Sequence, residues 1–216
     1  MFILPYNGHH DWLEKRVILY VRHGSWAYGT NILGSDEDFK GICVPPPVYR
    51  NGFSKKFEQV RSDKPDMVIF DVQQFFSLAA KCNPNILEAL WVRPEFVLRE
   101  QAAGRVLRAN RDKFLSKIAF KSYSGYATSQ LNSLKKAPPE DSVRRAAYNK
   151  CGYDAKFALH LVRLLRMLSE MLKDGAVNVW REDAEELVSI RMGEWKESQL
   201  ITEVLRLESL NHKLLK

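Results

Sequence analysis

The sequence predicts an α/β (α+β) protein with a short mixed sheet in its N-terminal half and an all-helical C-terminal half. Two observations support this division. Short β-rich runs separated by turn residues occupy the chain up to about residue 97, whereas helical periodicity dominates the rest. We therefore expect two domains, residues 1–97 and 98–216. A chain of 216 residues is long enough to bury a proper core.

The expected strands are short, and glycine, proline or acidic residues bound them. The first ends at the turn signal His23-Gly24-Ser25, and a weakly helical stretch, Trp26 to Asn31, follows it. The second stops at three consecutive prolines, and the fourth is apolar and follows Lys64-Pro65. The strands expected in this way cover residues 17–21, 38–44, 56–60 and 66–70.

Helical spacing begins at Val72, where apolar residues recur every three or four positions up to Asn83-Pro84-Asn85. A short helix containing Ile86 to Leu90 is expected next. The clearest later break is Pro138 to Asp141, and Gly175 is expected to end a long helix. The helices expected beyond residue 95 cover residues 99–110, 114–136, 142–173, 182–191 and 195–215.

Composition limits the class of protein and its partners. A net charge of +7 and a sequence pI of about 9.3 favour polyanionic ligands such as nucleotides, RNA or DNA. No apolar run approaches the roughly 20 residues of a membrane helix, and the N-terminus lacks the pattern of a secretory signal. Three widely spaced cysteines show no metal-ligand spacing. We expect a reduced, cytoplasmic protein with no membrane partner.

In the segment that carries chemistry, ten intervening residues separate Gly24-Ser25 from Asp36-Glu37-Asp38. Gly24 has no Cβ, so the main chain there can approach a phosphate closely. Ser25 supplies a hydroxyl and an N–H group at the start of a helix, where the helix dipole favours an anion. Residues two apart on a strand share a face, so Asp36 and Asp38 are expected to converge beside this turn.

A third carboxylate would complete a metal site. Asp66 opens a strand that can lie beside the one begun by Asp38, whereas Asp71 points to the opposite face of that strand. We therefore favour Asp66. Carboxylate oxygens suit Mg²⁺, which uses one or two of them together with substrate phosphates. Two such ions about 4 Å apart would activate a hydroxyl and stabilise a leaving pyrophosphate.

The ordered combination of strand, GS turn, helix and DxD strand resembles the DNA polymerase β-type nucleotidyltransferase superfamily. Further motifs resemble, more narrowly, the predicted nucleotidyltransferases associated with RNA repair, over residues 17–196. The motifs are Gly24-Ser25-x-x-Tyr28-Gly29-Thr30-Asn31, Ser35-Asp36-x-Asp38-x-Lys40-Gly41, Asn83-Pro84-Asn85-Ile86-Leu87-Glu88, Gly152-Tyr153-Asp154-Ala155-Lys156, His160-Leu161-Val162-Arg163-Leu164-Leu165-Arg166 and Ile190-Arg191-x-Gly193-Glu194-Trp195.

The resemblance implies a polymerase-β-like palm followed by a helical domain. It also implies transfer of a nucleoside monophosphate from a nucleoside triphosphate to a hydroxyl group, on an RNA (tRNA-like) 3′ end. Asp36, Asp38 and Asp66 would be the catalytic and metal-binding residues, with two Mg²⁺ (or Mn²⁺) ions. Two alternatives stay open: transfer to a protein side chain or a small molecule, and a catalytically silent nucleotide-binding or RNA-binding module.

Five polar residues recur at three- and four-residue spacing and are expected on one helix face: Asn149, Tyr153, Lys156, His160 and Arg163. Lys156 and Arg163 would bind phosphates, Tyr153 would stack on a base, and His160 lies between them. The alternative is a solvated helix face with an interior histidine. In the wider superfamily a helical domain closes over the nucleotide, and the resemblance supports the binding role. The expected nucleotide-binding residues are Gly24, Ser25, Tyr153, Lys156, His160 and Arg163.

Other polar residues allow more than one interpretation. Lys40 shares the face of the DxD pair and would balance the carboxylates or remain a surface lysine. For Glu88, a helix-capping or interdomain role is at least as favoured as a catalytic one. Arg191, Glu194 and Trp195 are expected to form an interdomain hinge or a packing cluster. Basic clusters that would together bind an RNA backbone are Lys55-Lys56, Arg105, Arg108, Arg111, Lys135-Lys136 and Arg144-Arg145-Lys150.

Overall fold

A computed structural model describes residues 2–6, 8–51, 56–142 and 144–216, with the side chains of Arg50 and Asn51 excepted. The chain divides into two compact units. The sheet unit comprises Met1–Ala80 and Asn85–Phe114, and the helical unit comprises Lys81–Pro84 and Leu115–Lys216. Lys55, one of the basic residues named above, lies outside the described residues.

Within the described part of the sheet unit, five strands form one mixed sheet in the order β3-β4-β2-β1-β5. β1 is antiparallel to both β2 and β5, β2 is parallel to β4, and β3 is antiparallel to β4. The strands are β1 (Val17–His23), β2 (Asp38–Cys43), β3 (Gln59–Asp63), β4 (Asp66–Asp71) and β5 (Val97–Glu100). The helices of this region are α1 (Leu13–Arg16), α2 (Gly24–Tyr28), α3 (Val48–Asn51), α4 (Val72–Ala79), α5 (Pro84–Leu87) and α6 (Ala102–Ala109).

The two faces of the sheet differ in chemistry because side chains alternate along each strand. On one face, the Tyr20 ring stacks on Phe39 with 5.5 Å between ring centroids, and the Tyr20 hydroxyl donates to the sulfur of Met67. N-terminal residues cover this face. The buried cluster there contains Leu4, Leu13, Val17, Tyr20, Cys43, Phe57, Met67 and Ile69. The opposite face carries Asp38, Lys40 and Asp66 and packs, farther along the strands, on α4 and on residues 86–89.

The helical unit is built around α9 (Ala155–Asp174), against which the neighbouring helices pack. Asp154 caps its N-terminus by accepting from the Lys156 N–H at 3.0 Å, and Gly175 ends it with a φ of 63°. Arg166 on α9 pairs with Asp183 at 2.8 Å and with Glu203 at 2.9 Å, and these carboxylates raise the pKa of its guanidinium. The other helices are α7 (Ile118–Ser133), α8 (Arg145–Cys151), α10 (Ala184–Arg191) and α11 (Glu197–Leu214).

Two of the expected helices need correction. The helix expected over residues 142–173 is interrupted, since Gly152 adopts a φ of 83° and Asp154 starts a new helix. The helix expected over residues 99–110 begins later, because Val97–Glu100 pairs with β1 as a strand. This pairing extends the sheet unit beyond residue 97, and the compact units change at Phe114/Leu115.

Three cysteines, Cys43, Cys82 and Cys151, are free thiols. Among the described helices, none is both long enough and apolar enough to cross a bilayer.

The contact of α6 with β1 gives the first prediction. A Cβ on Gly104 would lie 2.2 Å from the carbonyl oxygen of Ile18. Gly104→Ala should therefore destabilise the protein by about 1–3 kcal/mol. Gly125→Ala, at an exposed position of α7, is the matched control, because nothing lies within 4 Å of the added Cβ. It should stabilise the protein by about 0.5–1 kcal/mol, since alanine favours a helix more than glycine does. Urea unfolding measures both, and equal shifts of the midpoint would contradict this packing.

Candidate active site

The site begins where β1 ends and the main chain turns into α2. Gly24 occupies that turn with a φ of +61°, a left-handed conformation that favours glycine. A Cβ at this position would lie 1.8 Å from Oδ2 of Asp38. The Asp38 carboxylate therefore lies directly against the main chain of Gly24, and any side chain at Gly24 would displace it.

Asp38 and Asp66 are the first residues of two neighbouring parallel strands and are paired in register. Residues in register on adjacent strands share a face, and such strands lie about 4.8 Å apart. Asp66 is exposed and Asp38 is half-buried, so solvent reaches both side chains. The sheet thus brings together two of the three carboxylates that the sequence singled out.

Asp36 lies in the exposed loop that leads into β2. Between it and Asp38, Glu37 pairs with Arg22 at 2.8 Å, and the Arg22 guanidinium lies 5.3 Å from the centre of the Trp26 ring. Arg22 is opposite Phe39 in the β1–β2 register, so it belongs to the face away from Asp38. Asp36 and Glu37 precede β2, so the alternation of side chains that predicted a common face for Asp36 and Asp38 does not extend to Asp36.

Asp71 is at the other end of β4, opposite Cys43. It is 2% exposed and caps α4 by accepting from the Gln73 N–H at 3.2 Å. The structure therefore groups Asp66, and not Asp71, with Asp38.

The donor set fits a hard divalent cation. Mg²⁺ and Mn²⁺ prefer carboxylate oxygens as protein ligands, and water and substrate phosphates fill the remaining coordination positions of the ion. Among the residues that the structure describes, no group of three acidic, histidine or cysteine side chains is gathered as a metal cluster.

Polar contacts stabilise the segments that follow Gly24 and Asp38. The Tyr28 hydroxyl donates to the carboxylate of Glu88, which is 0% exposed, and the His23 ring meets the Tyr28 ring edge-on at 5.5 Å. Glu88 thus fixes the end of α2. Lys40 lies on the face of Asp38, and its ammonium group donates to the carbonyl oxygen of Asn85. These contacts hold the segment after Gly24 and the strand after Asp38 in place.

In the helical unit, Lys156, His160 and Arg163 follow one face of α9 at helical spacing. Their burial increases along the helix, from an exposed Lys156 to an Arg163 that is 4% exposed. Burial, followed by the charges of Arg163, Lys156 and Arg191, lowers the pKa of His160 to about 3. His160 is therefore a neutral imidazole at physiological pH, surrounded by cations. Arg191, at the end of α10, belongs to this cluster although the sequence favoured a packing role for it.

Tyr153 and Asn149 do not share that face. Asn149 is on α8, and Tyr153 precedes the cap of α9. The Tyr153 ring is 2% exposed, its hydroxyl donates to the carbonyl oxygen of Trp195 at 2.9 Å, and burial raises its pKa. This burial favours a packing role for Tyr153 over the base-stacking role expected from the sequence.

Comparison with known proteins gives three findings. A model of the RNA repair pathway DNA polymerase beta family, RlaP, matches residues 7–206. An uncharacterised 38.9 kDa protein of Enterobacteria phage T4, from the nrdC-mobD intergenic region, is 33% identical over 119 residues. That match covers 50% of this chain and 35% of the phage protein, so the chain spans about a third of that relative. A nucleotidyltransferase-like protein from Exiguobacterium sibiricum 255-15 is similar in structure, with 14% identity and a TM-score of 0.34, over 92% of this chain and 69% of that one.

The contact of Gly24 with Asp38 gives the second prediction. Gly24→Ala should weaken Mn²⁺ binding by about 10-fold or more, because the added Cβ displaces the Asp38 carboxylate. Gly34→Ala is the control: it shares the positive φ, at +80°, but its Cβ meets nothing within 4 Å. Both variants should lose about 1 kcal/mol of stability from backbone strain. Electron paramagnetic resonance measures the Mn²⁺ affinity, and equal affinity in the two variants would refute the contact.

Proposed function

Because the chain belongs to the RNA repair pathway DNA polymerase beta family, we propose that it is a metal-dependent nucleotidyltransferase acting on RNA. It transfers a nucleoside monophosphate from a nucleoside triphosphate to a hydroxyl group at a tRNA-like 3′ end. The observation that carries this proposal is the in-register pair Asp38 and Asp66 at the turn containing Gly24. Two neighbouring carboxylates that solvent reaches, one of them against the main chain of Gly24, suit metal-dependent phosphoryl chemistry.

In the reaction, the acceptor oxygen forms a bond to the α-phosphorus, and the bond from that phosphorus to the bridging oxygen breaks. The electron pair leaves with pyrophosphate. Asp36 and Asp38 would hold two Mg²⁺ (or Mn²⁺) ions, which when bound supply positive charge to the phosphates and the attacking oxygen. Asp66 would assist removal of the hydroxyl proton, since its exposed carboxylate stands next to Asp38.

The triphosphate requires donors and cations. Gly24 and Ser25 would supply main-chain N–H groups and the Ser25 hydroxyl at the start of α2. The exposed Lys156 would bind phosphate oxygens, and the buried Arg163 and the neighbouring Arg191 would add positive charge. The neutral His160 would contribute a hydrogen bond to the nucleoside and no charge of its own.

RNA is the proposed acceptor on two grounds. The net charge of +7 favours a polyanion, and the matching family is described as part of an RNA repair pathway. A basic chain attracts RNA over long distances, and this attraction weakens as salt is raised.

The third prediction compares matched aspartates. Purified protein is incubated with each α-³²P-labelled nucleoside triphosphate, Mg²⁺ or Mn²⁺, and a tRNA mixture. Wild-type protein should label RNA, whereas Asp36→Ala and Asp66→Asn should lose at least about 100-fold in rate, since each removes several kcal/mol of charge stabilisation. Asp71→Asn is the control on the same strand. It should keep the activity, and helix α4 should keep its cap, because asparagine caps a helix about as well as aspartate does.

Each contrary outcome identifies a different error. Activity retained in Asp36→Ala would remove the carboxylates from the mechanism. Activity lost in Asp71→Asn but kept in Asp66→Asn would exchange their assignments. Label on protein alone would indicate a partner-modifying enzyme, and metal-independent binding without label would indicate a silent binding module.

A further inference from the structure

One face of α7 borders an open groove of about 540 Å³ in the helical unit. The residues of α7 that line it recur at helical spacing, and among them are Lys121, Ser122, Gly125 and Tyr126. The opposite face of α7 is buried through Ala119, Tyr123 and Ala127. The groove is therefore outside the core and lies on the side of α7 that the packing of this helix leaves uncovered.

Short contacts fix the other border of the groove. The Ser122 hydroxyl donates to the carbonyl oxygen of Lys81 at 2.5 Å, and the Asn83 amide donates to the Tyr126 hydroxyl at 3.0 Å. These two bonds attach residues 81–83 to α7. Lys81 and Lys121 consequently belong to one surface although they are 40 positions apart in the sequence.

The charge of this surface is not neutralised. The chain contains no Asp or Glu from Lys113 to Pro139, a stretch that contains five lysines. Lys81 and Lys121 are both exposed, and neither side chain makes a hydrogen bond or an ion pair with any residue that the structure describes. The same is true of Lys135 and Lys136, just beyond the end of α7.

Other basic residues named from the sequence are occupied instead. Arg108 donates to the carbonyl oxygens of Leu90 and Val92 and pairs with Glu100 at 3.0 Å. Arg145 pairs with Glu140 at 2.6 Å. These guanidinium groups contact other parts of the fold, whereas Lys81, Lys121, Lys135 and Lys136 make no such contact with the residues that the structure describes.

We propose that the α7 groove binds the phosphodiester backbone of the RNA acceptor. This inference rests on the proposed function, for which it names the acceptor surface. Lys81 and Lys121 contact phosphate oxygens, and Ser129 adds a hydroxyl donor. Gly125 leaves the helix surface open, since nothing lies within 4 Å of a Cβ placed there. A strand of RNA can thus approach the backbone of α7 closely.

An RNA backbone fits this surface better than an acidic protein does. α7 has 16 residues and extends about 24 Å, so its length spans several successive phosphates. Its cations are lysines only, because no arginine occurs between Arg111 and Arg144. Lysine binds phosphate oxygens as a point charge, so it does not require one fixed orientation of each phosphate along the RNA backbone.

The fourth prediction tests this surface by RNA binding. Fluorescence anisotropy of labelled tRNA between about 50 and 200 mM KCl gives the affinity and its salt slope. Lys81→Glu/Lys121→Glu should weaken binding by about 10-fold or more and reduce the salt slope by about 2, one for each phosphate contact. Lys15→Glu/Lys173→Glu is the control. It makes the same change in net charge at two exposed lysines that do not line the groove and should have a much smaller effect.

Circular dichroism first establishes that both double variants are folded, and Lys81→Arg/Lys121→Arg should restore binding. Equal weakening in the two glutamate variants, unchanged binding in the groove variant, or no RNA binding by wild-type protein would each overturn the inference. Displacement of the RNA by polyglutamate at equal charge concentration would also overturn it, in favour of an acidic protein partner.

The same reagents separate this inference from the proposed function. Asp38→Ala should bind RNA as wild-type protein does, because its substitution leaves the groove intact. If wild-type protein binds RNA through the groove but transfers no label to it, the inference stands and the proposed function fails. If wild-type protein labels RNA and the groove variant binds and labels it equally well, the proposed function stands and the inference fails.

Discussion

The contact between the Asp38 carboxylate and the main chain of Gly24 is the constraint on which the site depends. It requires a residue without a side chain directly after β1, and it requires β2 to begin at Asp38, opposite His23. The parallel pairing of β4 with β2 then places Asp66 beside Asp38. The turn at Gly24, the register of β2 with β1 and the parallel direction of β4 together place Asp38 and Asp66 side by side, and we call this pair the carboxylate edge. A change in any of the three would separate the two carboxylates.

The surroundings keep this edge polar and open while its supports are buried. Apolar side chains occupy the opposite face of the sheet and form the core there. Asp66 can therefore stay exposed without reducing the apolar area that folding buries. Glu88 is fully buried and holds α2 through Tyr28, and Arg22 holds Glu37 away from the aspartates. A buried carboxylate such as that of Glu88 is stable only when it is paired, which explains its contact with the Tyr28 hydroxyl.

Sequence patterns predicted the carboxylate edge because its information is local. The alternation of side chains along a strand alone predicts that Asp66 and Asp71 lie on opposite faces. In the structure they lie at opposite ends of β4, where Asp66 is a candidate site residue and Asp71 caps α4. Residues 97–100 were not predicted as a strand, because their strand character comes from pairing with β1. The position of Arg191 beside His160 depends on the packing of α10 on α9, which no spacing in the sequence encodes. Net charge likewise cannot show which cations are already paired.

The most direct test of the central claim is a crystal structure with Mn²⁺ and a non-hydrolysable nucleoside triphosphate analogue. Anomalous scattering locates each Mn²⁺ ion without reference to the activity of the enzyme. The account predicts Mn²⁺ at about 2.2 Å from the carboxylate oxygens of Asp36, Asp38 and Asp66, bridging to the triphosphate. Mn²⁺ and triphosphate bound away from these aspartates would contradict it.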